Sequence, residues 1–443
     1  MPPDQGAPAR PDSRDGPRPH YRVGLLGLGT VGSQVAERLE QSSDLVHRRT
    51  GVDLSLKTIV VRDVDKVRRY QPTAPVTNNA DDVLSDPEID IVVEVIGGVD
   101  PAHDYLRRAI QAGKHVVTAN KEVMAKYGPD ILELALEMNV DVYFEAAVGG
   151  GIPLISTFKI DLLANEINSI EAIINGTTNY ILDGMASGKS YNDALAEARE
   201  LGYAEADPSS DVDGHDSVFK LCIMSSIAFS SRFHPADIYR EGITKLEPTD
   251  FAYAAEMGYA IKLVAEGRKR DGAVELRVHP TLIPRSHLLS QVSGSNNAVV
   301  VDGDLVGSVL LYGQGAGGRP TASAVVGDLI DLVHSMRKGV NNRIPMWFDR
   351  NYPVRPFDDV ESRAYFRIDV EDRPGVLAGI TRVLGDNEIS IHSITQKSSN
   401  AGEASAELVI LTHPAREKVL QAARRQIEAL EPVHRVRSFI RVQ

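Results

Sequence analysis

The segment YRVGLLGLGTVG, from Tyr21 to Gly32, constrains the fold of this chain more than any other. An apolar strand leads into Gly27, Gly29 and Gly32, set at G-x-G-x-x-G spacing, and a helical pattern runs from about Val31 to Gln41. Each glycine has a steric task in such a turn: a tight bend, close approach of the backbone to a pyrophosphate, and close packing of helix on strand, with the anion at the helix N-terminus. The spacing alone is a weak signal, but the strand-turn-helix context is the one dinucleotide binding requires. The chain then alternates in the same way through LKTIVV, DIVVEVIGG near 90 to 98 and KHVVTAN near 114 to 120. Strands interleaved with helices predict an α/β unit with a parallel sheet.

The end of the second strand commonly separates the two nicotinamide cofactors. An acid there bonds the ribose 2'-hydroxyl, and an arginine accommodates a 2'-phosphate. VVRDVDK sets Arg62 and Asp63 side by side, so NAD and NADP both stay open, with Arg62 directly after the strand favouring NADP slightly.

At 443 residues and 42% hydrophobic, the chain has material for more than one core. Residues 1–20 are dense in Pro, Gly and mixed charge and predict a disordered tail, followed by a dinucleotide-binding domain at 21–150. After VYFEAAVGGGIP the composition shifts, and SIEAIINGTTNYIL with GAVELRVHPTLI predicts a separate α+β unit over 151–320. Residues 347–362 are proline-punctuated and follow neither period, which predicts a linker. Residues 363–443 run strand, helix, strand, strand, helix, strand, the split βαβ pattern of a small ferredoxin-like domain.

A net charge of -13 repels a phosphate backbone, and no Lys/Arg stripe offsets it, so nucleic acid is not an expected partner. No stretch reaches the roughly 18 to 20 apolar residues of a membrane span, and the first residues lack a signal-peptide core. With its single cysteine, Cys222, in an apolar helical pattern, the chain is expected to be cytoplasmic and free of internal disulfides. No G-x-S-x-G elbow or H-E-x-x-H pair supports a hydrolase.

GYAEADPSSDVDGHD carries Glu205, Asp207, Asp211, Asp213 and Asp216 in a short span. The spacing does not match an EF-hand loop, leaving a surface for an amine as the better reading. Asp216 and Lys220 are four residues apart and share a helix face in the favourable acid-first order. A surface pair of this kind is worth roughly 0.2 to 0.5 kcal/mol. Here, though, the following LCIMSSIAFSS is apolar on nearly every face, and Lys220 lies near the wrong end of the helix dipole. Both influences disfavour the charged ammonium and bring the group toward proton transfer, while the carboxylate opposes them and orients it. His215 is a second proton carrier by type, and its place beside a helix start suits a structural or solvent-facing residue better.

From about residue 21 to 345 the chain resembles homoserine dehydrogenase. The resemblance rests on six motifs in order: GLGTVG, EVIGG with PA, AGKHVVTANK, NGTTNYIL, GYAEADPSSDVDGHDSVFKL and GQGAGGRPTASAVVGD. It implies NAD(P)-dependent interconversion of aspartate 4-semialdehyde and homoserine, on the route to threonine, isoleucine and methionine, in a unit at 151–320 that also dimerises. By position it implies that Lys220 transfers the proton, that Asp216 is the carboxylate beside it, and that Lys121 is a second active-site lysine near cofactor and substrate. Glu205 and Asp211 would hold the substrate amine, Gly176 and Thr177 would form the substrate loop, and Gly315 would be a late cofactor contact. Thr30 and Val31 would lie in the pyrophosphate turn, and a helix within 321–346 would return to the nucleotide-binding domain. FEAAVGGGIP implies a monovalent-cation loop in which Glu145, with backbone oxygens of Val148, Gly150 and Ile152, binds sodium or potassium as a structural ion.

The last residues resemble an ACT domain through VEDRPGVLAGITRVLGDNEISI, which implies an amino-acid effector, threonine first, at Gly375, Val376, Asn387 and Ile389. A homodimer or homotetramer follows from the same resemblance. Two other readings stand beside it: a non-catalytic sensor coupling nicotinamide to amino-acid binding, and a different amino-acid dehydrogenase on the same nucleotide-binding fold.

Overall fold

The structure, a computed structural model, describes residues 19–41, 43–398 and 405–443. The tail expected at 1–20 falls outside these except for its last two residues. The first sheet is parallel and comprises β1 (His20–Leu26), β2 (Asp53–Val60), β3 (Val76–Thr77), β4 (Ile91–Glu94), β5 (His115–Thr118) and β6 (Val142–Tyr143), in the order β3-β2-β1-β4-β5-β6. The helices of this unit are α1 (Thr30–Gln41), α2 (Ser43–Thr50), α3 (Asp81–Leu84), α4 (Ala102–Gln111) and α5 (Lys121–Glu137). IVVE in β4 and HVVT in β5 are buried at every residue. Strands covered on both faces read as unbroken apolar runs, which is how these appear in the sequence. The strand order reverses between β1 and β4, where sheets of this kind open a ligand crevice beyond the strand C-termini.

Two of the three fingerprint glycines, Gly27 and Gly32, are required by contact, whereas a Cβ on Gly29 would meet nothing within 4 Å. Gly27 has φ +104°, and a Cβ there would lie 2.9 Å from the Val95 carbonyl oxygen; a Cβ on Gly32 would lie 2.1 Å from that of Gly27.

The second unit holds β7 (Ile167–Ile173), β8 (Tyr239–Arg240), β9 (Tyr259–Arg270), β10 (Ala273–Pro284), β11 (Asn296–Gly303) and β12 (Gly307–Gln314). Its helices are α6 (Gly176–Ala186), α7 (Tyr191–Glu200), α8 (Ser209–Val212), α9 (His215–Ala228) and α10 (Pro248–Glu256). α6, α9 and α10 all pack on β9. α9 buries residues on every side, including Ser217, Leu221, Met224 and Ser226, so it is a central helix. α11 (Gly318–Arg337) then returns to the nucleotide-binding unit and packs against α1, with Val325, Leu329 and Val333 in one core with Val23 and Val35.

The C-terminal unit is β13 (Glu361–Glu371), α12 (Val376–Asp386), β14 (Ile391–Ser398), β15 (Ser405–Thr412), β16 (Ala415–Arg416), α13 (Glu417–Glu428) and β17 (Val433–Val442), with its main strands in the order β17-β13-β15-β14. This sheet does not stand apart. β17 pairs in parallel with β10 at Arg441 and Val442, and the Gln443 N–H donates to the Leu282 carbonyl at 3.0 Å, making one continuous sheet of 11 strands. The segment expected as a linker runs along β10, with N–H bonds from Val274 to the Pro353 carbonyl at 2.9 Å and from Arg355 to that of Val274 at 2.8 Å. The buried Arg367 crosses the seam, donating to Asp250 at 2.7 Å, Glu407 at 2.9 Å and Glu247 at 2.5 Å.

Candidate active site between the nucleotide-binding and substrate units

A cleft of about 1330 Å³ opens beyond the C-terminal ends of β1, β2 and β4. Gly27, Gly29, Thr30 and Arg62 line it. Val31 and Gly32 lie just behind, in the first turn of α1, and that turn carries no acidic side chain to compete with an anion. Lys66, Arg68, Arg69 and Arg319 line the same cleft and were not singled out from the sequence, although the run DVDKVRR advertises three of them. The Asp63 carboxylate accepts the Asp65 N–H at 3.0 Å within its own loop.

A chain of hydrogen bonds leads from this cleft to the lysines. Buried Glu94, at the end of β4, accepts the Ile96 N–H at 2.7 Å and the Thr118 hydroxyl at 2.6 Å. Asn120 caps α5, accepting the Val123 N–H at 3.1 Å, while its amide donates to the Gly98 carbonyl at 2.7 Å. Lys121 follows as the first residue of α5, partly exposed, with Nζ 2.5 Å from Asp216 Oδ1.

Asp216 sits in the first turn of α9, 2% exposed, and Lys220 lies one turn on. Lys220 Nζ donates to Asp216 Oδ2 at 2.7 Å and to the Ile174 carbonyl at 2.9 Å. One buried carboxylate thus holds two ammonium groups, one from each unit. Burial alone would push the Asp216 carboxyl up, but Lys220 and Lys121 hold it well below the usual carboxylate range. For Lys121, burial works against the charge, and Asp216 overcomes it, raising the group above the usual lysine value. The expected pair at Asp216 and Lys220 is therefore part of a triad, whose third member arrives from β5 across a long stretch of chain.

The other predicted substrate residues divide. Asp211 is half-buried beside the triad, and burial, then the like charge of Asp216, raise its pKa. Asn175 bonds it at 2.7 Å. Gly176 begins α6, where a Cβ would lie 2.4 Å from the Ser295 carbonyl oxygen. Thr177 donates its hydroxyl to the Tyr203 carbonyl at 2.7 Å, tying α6 to the acidic loop. Glu205 is exposed on that loop, and its backbone carbonyl meets Arg199 at 3.4 Å. Asp207 accepts the Ser209 N–H at 3.1 Å just before α8, and the Asp213 carbonyl accepts Arg240. His215 is exposed; Cys222 is buried, its thiol pushed up to about 12 by burial.

Gly315 follows β12 in a loop that touches the expected cation loop, where the Gly151 N–H donates to Gln314 at 3.1 Å. Neither it nor Lys121 is among the residues lining the nucleotide cleft. The Glu145 carboxylate accepts the N–H groups of Leu154, Ile155 and Ser156 at 2.6, 2.8 and 2.7 Å, so its charge is already satisfied by a helix start. Among the described residues no group of three or more His, Cys, Asp or Glu could hold a metal.

In the C-terminal unit, Val376 and Ile389 are buried in its core, and the Asn387 amide donates to the Val383 carbonyl and to Gln426, both at 2.8 Å. Gly375 precedes α12 with φ +96°. A ligand at this turn would therefore meet backbone more than these side chains.

Family models match in sequence order: homoserine dehydrogenase NAD binding domain at residues 27–145, homoserine dehydrogenase at 153–330, and ACT domain at 364–432. Homoserine dehydrogenase of Pseudomonas aeruginosa is 44% identical over 94% of this chain and 98% of its own length. The crystal structure of a homoserine dehydrogenase from Thiobacillus denitrificans aligns with TM-score 0.90 at 44% identity, over 96% of this chain and 98% of that one. A hyperthermophilic archaeal homoserine dehydrogenase in complex with NADPH aligns with TM-score 0.60 at 30% identity, over 71% of this chain and 98% of that one. With this likeness spanning both units of the cleft and the C-terminal sheet, the chain belongs to the homoserine dehydrogenase family, a nicotinamide-dependent oxidoreductase that carries a C-terminal ACT domain.

Proposed function

We propose that Lys220 exchanges the proton in the interconversion of L-aspartate 4-semialdehyde and L-homoserine. The observation that carries this reading is the single buried Asp216 carboxylate held between Lys220 and Lys121 beside the nucleotide cleft. The nicotinamide, when bound, supplies or accepts the hydride at the substrate carbon. Lys220 donates the proton to the aldehyde oxygen in reduction and removes it from homoserine in oxidation. Lys121 adds a second positive charge facing the developing alkoxide and the cofactor. Asp211 and Glu205 hold the substrate amine, with Gly176 and Thr177 as the loop above it. Asp211, Asp216, Lys121 and Lys220 carry two charges of each sign, a balance suited to a zwitterionic amino acid.

NADP is the preferred nucleotide in this reading. Arg62, Lys66, Arg68 and Arg69 line the cleft together with Asp63, whose carboxylate accepts a bond within its own loop, so a 2'-phosphate meets four cations against one acid. Gly315 contacts the cofactor from its loop, and sodium or potassium at the carbonyls of Val148, Gly150 and Ile152 would tie that loop to the start of the substrate unit. The ACT domain takes an amino-acid effector, threonine first, at the turn of Gly375. Exposed Leu305, Leu310 and Tyr312 around β12 support a homodimer or homotetramer, working in the cytoplasm in threonine, isoleucine and methionine synthesis.

The test is direct. The purified chain with homoserine and NADP or NAD should produce reduced nicotinamide, faster with NADP and more slowly when threonine is added. No reduction with either nucleotide rejects the enzyme assignment, and rates indifferent to threonine reject that effector.

A further inference from the structure

We propose that Asn175 is a positioning residue for the reaction: its amide divides two protons between the carboxylates of Asp211 and Asp216, and so sets the substrate-amine acid and the lysine-holding acid relative to each other. This rests on the assignment of Asp211, Asp216 and Lys220 made above.

Asn175 is 4% exposed and is the N-cap of α6. Its Oδ1 accepts the Thr178 N–H at 2.8 Å and lies 3.0 Å from the Thr178 hydroxyl. A backbone N–H can only donate, so this edge of the amide is the oxygen, and the NH2 must face the other way. There it meets Asp211 Oδ1 at 2.7 Å and Asp216 Oδ2 at 2.9 Å. Both amide protons are therefore committed, one to each acid.

A neutral double donor between two carboxylates relieves by direct contact a repulsion that Lys121 and Lys220 relieve for Asp211 only from a distance. Lys121 and Lys220 ion-pair with Asp216, while Asp211 is bonded by the amide. The Asn175 bond works against the burial and like charge that raise Asp211. The Asp216 oxygen that takes the amide proton is also the one that takes Lys220 Nζ, so the amide fixes the rotation of the carboxylate that aims the proton donor.

Two substitutions separate this role from helix capping, because Asp and Ser both cap helices well. Asn175→Asp keeps the shape and cap but replaces the donors with a third negative charge; Asn175→Ser keeps a cap with one short hydroxyl. Both should leave nucleotide affinity near wild type; Asn175→Ser should also keep the melting temperature near wild type, while Asn175→Asp should lower it through the added buried charge. Both should raise KM for homoserine and lower kcat, each by about tenfold or more, with Asn175→Asp the worse. The acid limb of kcat/KM should move to higher pH by about one unit in Asn175→Ser, since Asp211 loses a donor to its ionised form.

Wild-type kinetics and an unmoved acid limb in either variant overturn the proposal. So does a loss in Asn175→Ser that comes only with weakened nucleotide binding and a lowered melting temperature, which would make Asn175 a helix cap alone. Lys220→Ala measured alongside keeps the two readings apart: if it is fully active, the assignment of the site has failed, whereas if it is inactive and the Asn175 variants are normal, only this proposal has.

Discussion

Two buried charge clusters in this molecule are built with opposite balances. At the seam with the ACT domain, one guanidinium, Arg367, meets three carboxylates, and Ser438 donates to the innermost of them, Asp250, at 2.7 Å. At the cleft, one carboxylate, Asp216, meets two ammonium groups. Arg367 and Asp250 are 2% and 0% exposed at the side chain, so the centre of the seam is closed to solvent, with Glu247 and Glu407 at its partly exposed rim. Lys121 keeps 38% of its side chain exposed, and Asp211 is bonded by an amide rather than a cation. The Arg367–Asp250 pair at the centre of the seam is satisfied within the protein and acts on stability. The cleft leaves capacity on both signs, which is what an amino-acid substrate needs.

Breaking each cluster should therefore give different losses. Asp216→Asn removes the charge that holds both lysines, and kcat should fall by about 10² to 10⁴-fold with the fold intact, as stopped-flow or steady-state rates would register. Arg367→Met leaves Asp250 buried and unpaired, and should cost about 3 to 5 kcal/mol of stability by denaturant titration, with kcat of the surviving folded enzyme little changed. If instead Arg367→Met silences catalysis at full stability, the two clusters are not independent.

Asp211→Asn sharpens the contrast within the cleft. KM for homoserine should rise by about tenfold or more while thermal stability at neutral pH increases. The sign follows from its raised pKa: an acid that holds its proton more tightly when folded destabilises the fold above that pKa and stops doing so as pH falls through it. Asp216 has the opposite sign. Its contribution is present above the ordinary carboxylate value and is lost only as pH drops through the lower folded value, so it does not set the acid limb of activity. The smallest effect is expected at Arg62→Ala, about tenfold in the NADP-to-NAD preference, read from kcat/KM with each nucleotide, because three neighbouring cations remain.

What the sequence disclosed follows the range of each interaction. The glycine turn, the parallel strands and the Asp216–Lys220 pair are local, and each was legible as a short pattern. The partnership of Lys121 with Asp216 was not legible from spacing, because it joins α5 to α9 only in the folded chain; the family resemblance named both residues without naming their bond. The seam was hidden for the same reason, with Arg367 and Asp250 separated by 117 positions and each an ordinary charge in its own segment. The continuity of β17 with β10 rests on the last residues of the chain, which carry no signal of a neighbour. Asn175 was not singled out in NGTT, because its amide partners lie on α8 and α9, far along the chain. The family resemblance named Glu145 as a cation ligand, and its bonds to the N–H groups of Leu154, Ile155 and Ser156 leave no mark in side-chain patterns.

The central claim, that Lys220 moves the proton, is tested by Lys220→Ala with and without added methylamine. The account predicts a fall in homoserine oxidation of about 10² to 10⁴-fold, unchanged nucleotide binding, and partial recovery that rises with the concentration of free amine. Turnover within a few-fold of wild type would contradict it.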